Sequence, residues 1–264
     1  MKAALYKLFI ELTNGPISSA AIRIFANSNI SRLFIKSYAA VYKINLDEMV
    51  EDIHSYPNLH SFFTRKLKEE ARLIDMSADS VASPVDGVIE DAGNVTANKE
   101  IIVKGKTYSI SEMLGGTLRA EKYGGGTYII IYLSPSHYHR IHSPISGKVT
   151  DSYSLGRKSF PVNRLGLKFG DSVLAKNFRV ITEIDSPKTT VAMVKVGAMF
   201  INSVIVTNSK REWEKGEEAA YFSFGSTVVL LFQKGAFVPN DVVKSCGEIR
   251  MGDALGRLTG GKGQ

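Results

Sequence analysis

Apolar and polar positions divide the chain near residue 75. Before that point the apolar residues recur with helical spacing. In KAALYKLFIEL, residues 2–12, Leu5, Leu8, Phe9 and Leu12 fall at i, i+3, i+4 and i+7, which predicts an amphipathic helix ended by Asn14-Gly15-Pro16. Residues 17–45 predict one or two further helices, apolar with scattered Arg and Lys, and the acidic run 47–56 predicts another. NLHSFFTRKL, residues 58–67, starts a short helix with Phe62 and Phe63 as core anchors. Beyond residue 75 short β-like runs alternate with Gly, Asn and Pro turns, at 101–103, 127–133, 148–153, 191–196, 203–207 and 227–232. That texture predicts many antiparallel strands. The expected fold class is α+β, with a helical, basic part over 1–75 and a β-rich, mostly antiparallel body over 76–264.

Composition narrows the class without naming a function. With 264 residues, 44% hydrophobic and 22% charged, the chain can bury a sizeable core. The net charge of +7 suits a nucleic acid, an anionic membrane or an acidic substrate as partner, and residues 1–45 alone carry a net +5. A basic amphipathic stretch of this kind can lie in a membrane interface, or pack on the body with its cations in water. Cys246 is the sole cysteine, so no intrachain disulfide or CxxC zinc site is available, which suits a reducing compartment. Glu11, Asn14 and Pro16 interrupt the N-terminal apolar run too early for a secretory signal, and no 18 residues are uninterruptedly apolar.

Three stretches carry candidate chemistry. In SPVDGVI, 83–89, Asp86 stands in a tight turn ahead of an apolar strand; taken alone it reads as a turn aspartate bonding its own backbone. In YLSPSHYHRIHSP, 132–144, His137, His139 and His142 lie within six positions, three of the five histidines of the chain. Metal ligation is one reading, but no cysteine or acidic residue stands close by and a closed zinc site needs more ligands, so no metal is expected. General base work is another reading, and a polar loop of surface imidazoles, which best fits His137, is a third. In FSFGSTVVLLF, 222–232, Gly225, Ser226 and Thr227 interrupt an apolar run just before a buried strand. Asp86, His142 and Ser226 together have the composition of an acid–imidazole–hydroxyl triad. A GxSxG elbow is missing, and the buried strand after Ser226 is an awkward place to receive outside esters. It suits a serine that attacks the carbonyl just before it.

SPVDG, YHRIHSP and FGSTVVLLF, in this order and at these separations, resemble the bacterial, pyruvoyl-dependent phosphatidylserine decarboxylase proenzyme family. FFTRKL (62–67), KGKTYSISEMLGG (104–116), FPVN (160–163), Val196-Gly197-Ala198 and KGEEAAYFSFGST (215–227) extend the likeness over about residues 60–256. Phe224 replaces the leucine of the family's LGST cleavage motif and leaves the Gly225-Ser226 pair intact. The resemblance implies that Asp86 orients His142, and that His142 activates Ser226 to attack the Gly225 carbonyl. Gly225 leaves that carbonyl open and permits unusual backbone geometry. The resulting ester eliminates and hydrolyses, dividing the chain into 1–225 and 226–264, which stay together. Ser226 becomes a covalently bound pyruvoyl cofactor that forms a Schiff base with the serine amine of phosphatidylserine. Decarboxylation then yields phosphatidylethanolamine, a step in phospholipid biosynthesis, and the resemblance associates His139 with it. It further implies phosphatidylserine in a membrane as partner, no nucleic acid, a homodimer, and a peripheral place on the cytoplasmic face of the cell membrane, with 1–75 as the membrane-associating region. The competing readings are a serine hydrolase acting on an external ester and a non-enzymatic membrane-binding module.

Overall fold

The computed structural model describes residues 16–162, 164–170, 172–198, 204–223 and 226–260. The helix predicted over 2–12 and the residue Gly225 lie outside this set.

The body is organised around an eight-stranded sheet. Its spatial order is Glu212–Trp213, Gly147–Leu155, Arg179–Asp185, Thr190–Gly197, Ser226–Phe232, Thr127–Leu133, Gly87–Asn94 and Glu248–Ile249. Every pairing in it is antiparallel. The strand Ser226–Phe232 occupies the interior, paired along its whole length to Thr127–Leu133 on one side and Thr190–Gly197 on the other. All seven of its residues are buried, so both faces of the sheet must be covered. Val228, Leu230 and Phe232 enter one apolar cluster with Ile141, Phe222 and Leu255 from neighbouring small sheets. Val229 and Leu231 enter a second with Met113, Leu114, Leu167 and Val173 from short helices. Each such side chain contributes about 1.5–3 kcal/mol by leaving water. This two-sided cover explains why 227–232 reads as a continuous apolar run rather than an alternating one.

The runs predicted at 101–103, 127–133, 148–153, 191–196 and 227–232 are strands within two residues of their expected bounds. The remaining predicted run, 203–207, holds the strand Val204–Val206, which pairs with Glu218–Phe222 and through it with Arg140–His142. The strand Arg179–Asp185 was not foreseen; it too is buried on both faces and alternates only weakly.

Residues 16–75 are helical and irregular. Helices run over Pro16–Asn27, Ile35–Val41 and Leu59–Phe63, with a 3₁₀ segment at Asn29–Phe34. The side chain of Asn58 caps the Leu59–Phe63 helix by accepting the Ser61 N–H. The acidic run 47–56 is not the helix its sequence predicts: it holds a single 3₁₀ turn, Ile53–Ser55. The Asn45 and Asp52 side chains take the N–H groups of Asp47 and His54, which competes with helix formation. Its backbone is also committed elsewhere, since Val50 N–H reaches Lys66 O and Lys68 N–H reaches Glu48 O. Ile35, Ala39, Ile44, Met49, Tyr56 and Phe62 form a separate small core here. No described helix is long and apolar enough to cross a membrane.

Candidate active site

The helical part and the β body meet at a polar wall. Asp86 ends the turn that leads into the strand Gly87–Asn94. A Cβ on Gly87 would stand 2.6 Å from the Tyr132 carbonyl oxygen, so glycine is what lets this strand close onto Thr127–Leu133 immediately after Asp86. The Asp86 carboxylate is 5% exposed and fully engaged. Arg72 grips it with two donors, Nε to Oδ1 at 2.8 Å and Nη2 to Oδ2 at 2.5 Å, and the Met251 N–H donates to Oδ1 at 2.8 Å. Arg72 also reaches Glu48 at 2.9 Å.

His142 ends the strand Arg140–His142, and its backbone N–H donates to Pro84 O, two residues before Asp86. Its ring does not hydrogen-bond Asp86. Nδ1 donates to Gly216 O at 2.8 Å, which fixes the tautomer and leaves Nε2 as an acceptor, 3.3 Å from the Tyr138 hydroxyl. Burial pushes the imidazole below its ordinary pKa, against opposing pulls from the Gly216 carbonyl and from the charges of Glu218 and Asp86. His142 is therefore a neutral ring with a base-competent nitrogen. The orienting partner expected to be Asp86 is a backbone carbonyl, because Asp86 is taken up by Arg72 and Met251.

His139 is fully buried, its ring 3.8 Å from that of Phe63. Its Nδ1 bonds the His137 carbonyl at 2.8 Å, and its Nε2 has no partner among the described residues. Burial, and next the charge of Arg65, hold it well below the usual histidine pKa. His137, the supposed surface imidazole, is half-buried, and its Nδ1 accepts the Ser134 N–H at 3.0 Å.

Ser226 is the first residue of its strand, with Leu133 opposite on one side and Gly197 on the other. Its hydroxyl is completely buried and has no hydrogen-bond partner among the described residues. Asp86, His142 and His139 thus gather at the wall, while Ser226 stands on the central sheet with no described hydrogen bond to any of them. A cavity of about 410 Å³ opens beside the wall, and Arg65, Arg72, Asp86, His137 and Tyr138 line it. Sequence reasoning passed over Arg65, Arg72, Tyr138 and Gly216; the partners of Arg65, Arg72 and Gly216 are 14 to 74 positions away in the chain, that of Tyr138 only four, and only the composition of FFTRKL and YHRIHSP hinted at two of them.

An enclosed hydroxyl and two buried neutral imidazoles in an antiparallel α+β body point to an enzyme. Residues 59–257 match the family model described as phosphatidylserine decarboxylase. The chain is 57% identical over 254 residues, 96% of each chain, to a protein of Anoxybacillus flavithermus described as phosphatidylserine decarboxylase proenzyme. It is 52% identical over 255 residues, 97% of each chain, to proteins of the same description from Bacillus anthracis and Bacillus cereus. The chain belongs to the phosphatidylserine decarboxylase family.

Proposed function

We propose that this chain decarboxylates phosphatidylserine to phosphatidylethanolamine, and that it is made as a precursor that divides itself between Gly225 and Ser226. Membership of the family and the proenzyme descriptions of relatives at 52–57% identity support the activity. The observation that carries the self-processing reading is the Ser226 hydroxyl, buried to 0% exposure and without a hydrogen-bond partner among the described residues, at the mouth of an interior strand. A hydroxyl so enclosed is badly placed for a visiting ester and well placed for the carbonyl one residue before it. Pairing of Thr227 to Phe232 on both sides holds the nucleophile, so the attack is effectively unimolecular.

In this reading His142 takes the Ser226 proton at Nε2, while Gly216 O holds the ring through Nδ1. Asp86 contributes its negative charge, which favours the protonated imidazole that results. The position suits a pyruvoyl group: the orphaned hydroxyl needs no partner once converted, and Gly197 opposite carries no side chain. Such a group supplies a ketone that engages the substrate amine and draws off the electron pair freed as carbon dioxide leaves. His139, neutral and with Nε2 unpartnered, is the residue proposed to hold or deliver a proton in that step.

A lipid substrate asks for a membrane-facing surface. Ile24, Ile30, Leu33 and Val41 are 66–81% exposed, and Arg23, Arg32, Lys36 and Lys43 stand among them in the chain. Apolar side chains next to cations suit the boundary of an anionic leaflet, which supports peripheral binding at the cytoplasmic face through residues 1–75.

Intact mass spectrometry of the recombinant protein tests the reading. The expected result is two chains, 1–225 and 226–264, with the shorter lacking a free amine at its start, and one undivided chain for Ser226→Ala. A wild-type protein that stays undivided with an ordinary serine at 226 sinks it.

A further inference from the structure

Arg65 is the least satisfied charge at the wall. It is 4% exposed, and only Nη2 is bonded, to Ser136 O at 3.1 Å and His137 O at 3.2 Å. Its Nε and Nη1 have no hydrogen-bond partner among the described residues. Among the described residues no carboxylate pairs with it. Asp86, the carboxylate whose charge acts most on it among the described residues, is already held by Arg72 and Met251. Around Arg65 stand the Phe62 ring, 5.6 Å from its guanidinium carbon, and Tyr56, whose buried hydroxyl is also unpartnered. Tyr56 packs on Phe62 at 5.4 Å and feels the charge of Arg65, as does His139. A buried guanidinium with two idle donors is costly to keep, and such groups call for an explanation. Arg65 also borders the cavity of about 410 Å³. Nε and Nη1 are themselves enclosed, so a small turn of the guanidinium toward the cavity is what would offer an entering anion a planar fork of donors.

We propose that Arg65 is the anchor for the phosphodiester of the substrate headgroup. This rests on the decarboxylase reading above and assigns a residue to the headgroup. The substrate carries two anions, and the chemistry chooses between them. The carboxylate departs as carbon dioxide, so a fixed cation gripping it would stabilise the ground state and slow its loss. The phosphodiester is unchanged by the reaction, so a cation there aids substrate and transition state alike. Arg65 then acts chiefly on KM, with a smaller effect on kcat through its charge on His139. Tyr56, packed on the same Phe62 ring, holds a further hydroxyl donor in this cluster.

The test uses the full-length protein and two readouts. The first is calorimetric titration with glycerophosphoglycerol, a phosphodiester with no reactive amine, and separately with inorganic phosphate. Wild type is expected to bind the diester, Arg65→Gln to bind it at least tenfold more weakly, and Tyr56→Phe severalfold more weakly. Phosphate binding equal to or tighter than that of the diester, and equally dependent on Arg65, would make this a free-phosphate site and overturn the headgroup assignment. The second readout is turnover of phosphatidylserine in mixed micelles, where Arg65→Gln is expected to raise KM at least tenfold and to change kcat by much less. Diester binding unchanged by Arg65→Gln, or a fall in kcat with KM held, overturns the proposal. Should Arg65→Gln fail to fold, Arg65→Lys and the wild-type diester titration decide: no diester binding by wild type, or full affinity and specificity in Arg65→Lys, overturns it. Failure of the decarboxylase reading looks different, since an undivided wild-type chain that releases no carbon dioxide would leave Arg65-dependent diester binding standing.

Discussion

The strand Ser226–Phe232 and the wall around Asp86, Arg65 and His142 are both buried, and they are built by different means. The strand is held by a regular backbone ladder on each side and by apolar packing on each face. The wall is held by side chains that cross from one chain segment to another: Arg72 to Asp86, Arg65 to Ser136 and His137, Arg140 to Thr64, His142 to Gly216. In the first region position follows from repetition, and a single residue is one contribution among many. In the second each polar group depends on one or two named partners. The division suits a protein whose proposed nucleophile must not move and whose base must exchange a proton.

The largest expected effect comes from removing the proposed base. His142→Ala takes away Nε2 and leaves the strand ladder untouched. Precursor division is expected to slow by about 10²–10⁴-fold, the range for a positioned acid–base group. A time course of chain division on a denaturing gel reads it. Division at the wild-type rate would show that the strand alone makes the Gly225–Ser226 bond labile, and the comparison would collapse into one region.

The strand region has one intruder. Lys195, on the neighbouring strand Thr190–Gly197, is fully buried and among the described residues donates only to Thr182 Oγ1, at 2.6 Å. Burial lowers its pKa from 10.5 to about 7. Between those values the unfolded chain keeps a proton that the folded protein has shed. Stability therefore rises with pH across that window, by on the order of 5 kcal/mol in all, and the protonated amine is a burden below it. Lys195→Met is expected to remove this rise and to stabilise the protein at neutral pH. Denaturant unfolding at about pH 7 and about pH 9.5, both within the window, checks it. An unchanged slope would mean that the amine finds compensation the apolar surroundings do not suggest.

The contrast also explains what the sequence made legible. The run 227–232 and its partners 127–133 and 191–196 declare themselves because each strand carries its own pattern and pairing needs only neighbours in the sheet. Asp86, His139 and His142 could be picked out as residue types, and Ser226 by the glycine before it, but not their bonds. Asp86 lies 14 positions from Arg72, and His142 lies 74 from Gly216. No local period records such a contact. The acidic run 47–56 failed as a helix for the same reason: its backbone answers to residues 66 and 68, not to its own composition. The idle Nε and Nη1 of Arg65 were invisible because idleness is a property of surroundings.

Arg72→Met tests the dependence of the wall on single partners. It strips Asp86 of two donors and Glu48 of one, leaving the Met251 N–H on a carboxylate 5% exposed. Breaking a buried pair from one side costs about 3–5 kcal/mol. A matching drop in stability by chemical denaturation is expected, with partial recovery when Asp86 is also made Asn. A loss below about 1 kcal/mol, the ordinary worth of an exposed pair, would mean that the wall yields to water and is less built than its geometry suggests.

The smallest expected effect carries the finest distinction. In the structure the Tyr138 hydroxyl lies 3.3 Å from His142 Nε2, the nitrogen proposed to take the Ser226 proton. A donor on that nitrogen occupies its lone pair and lowers its basicity, while the ring is oriented from the other side by Gly216. Tyr138→Phe keeps the aromatic contact with His142, whose ring centroid is 5.7 Å away, and removes only the hydroxyl. A neutral hydrogen bond of this kind is worth about 0.5–1.5 kcal/mol. Freeing Nε2 should therefore speed precursor division by roughly two- to tenfold on that scale. A slower division in Tyr138→Phe would show instead that the hydroxyl holds the ring in place, and that the wall orients His142 through Tyr138 as much as through Gly216.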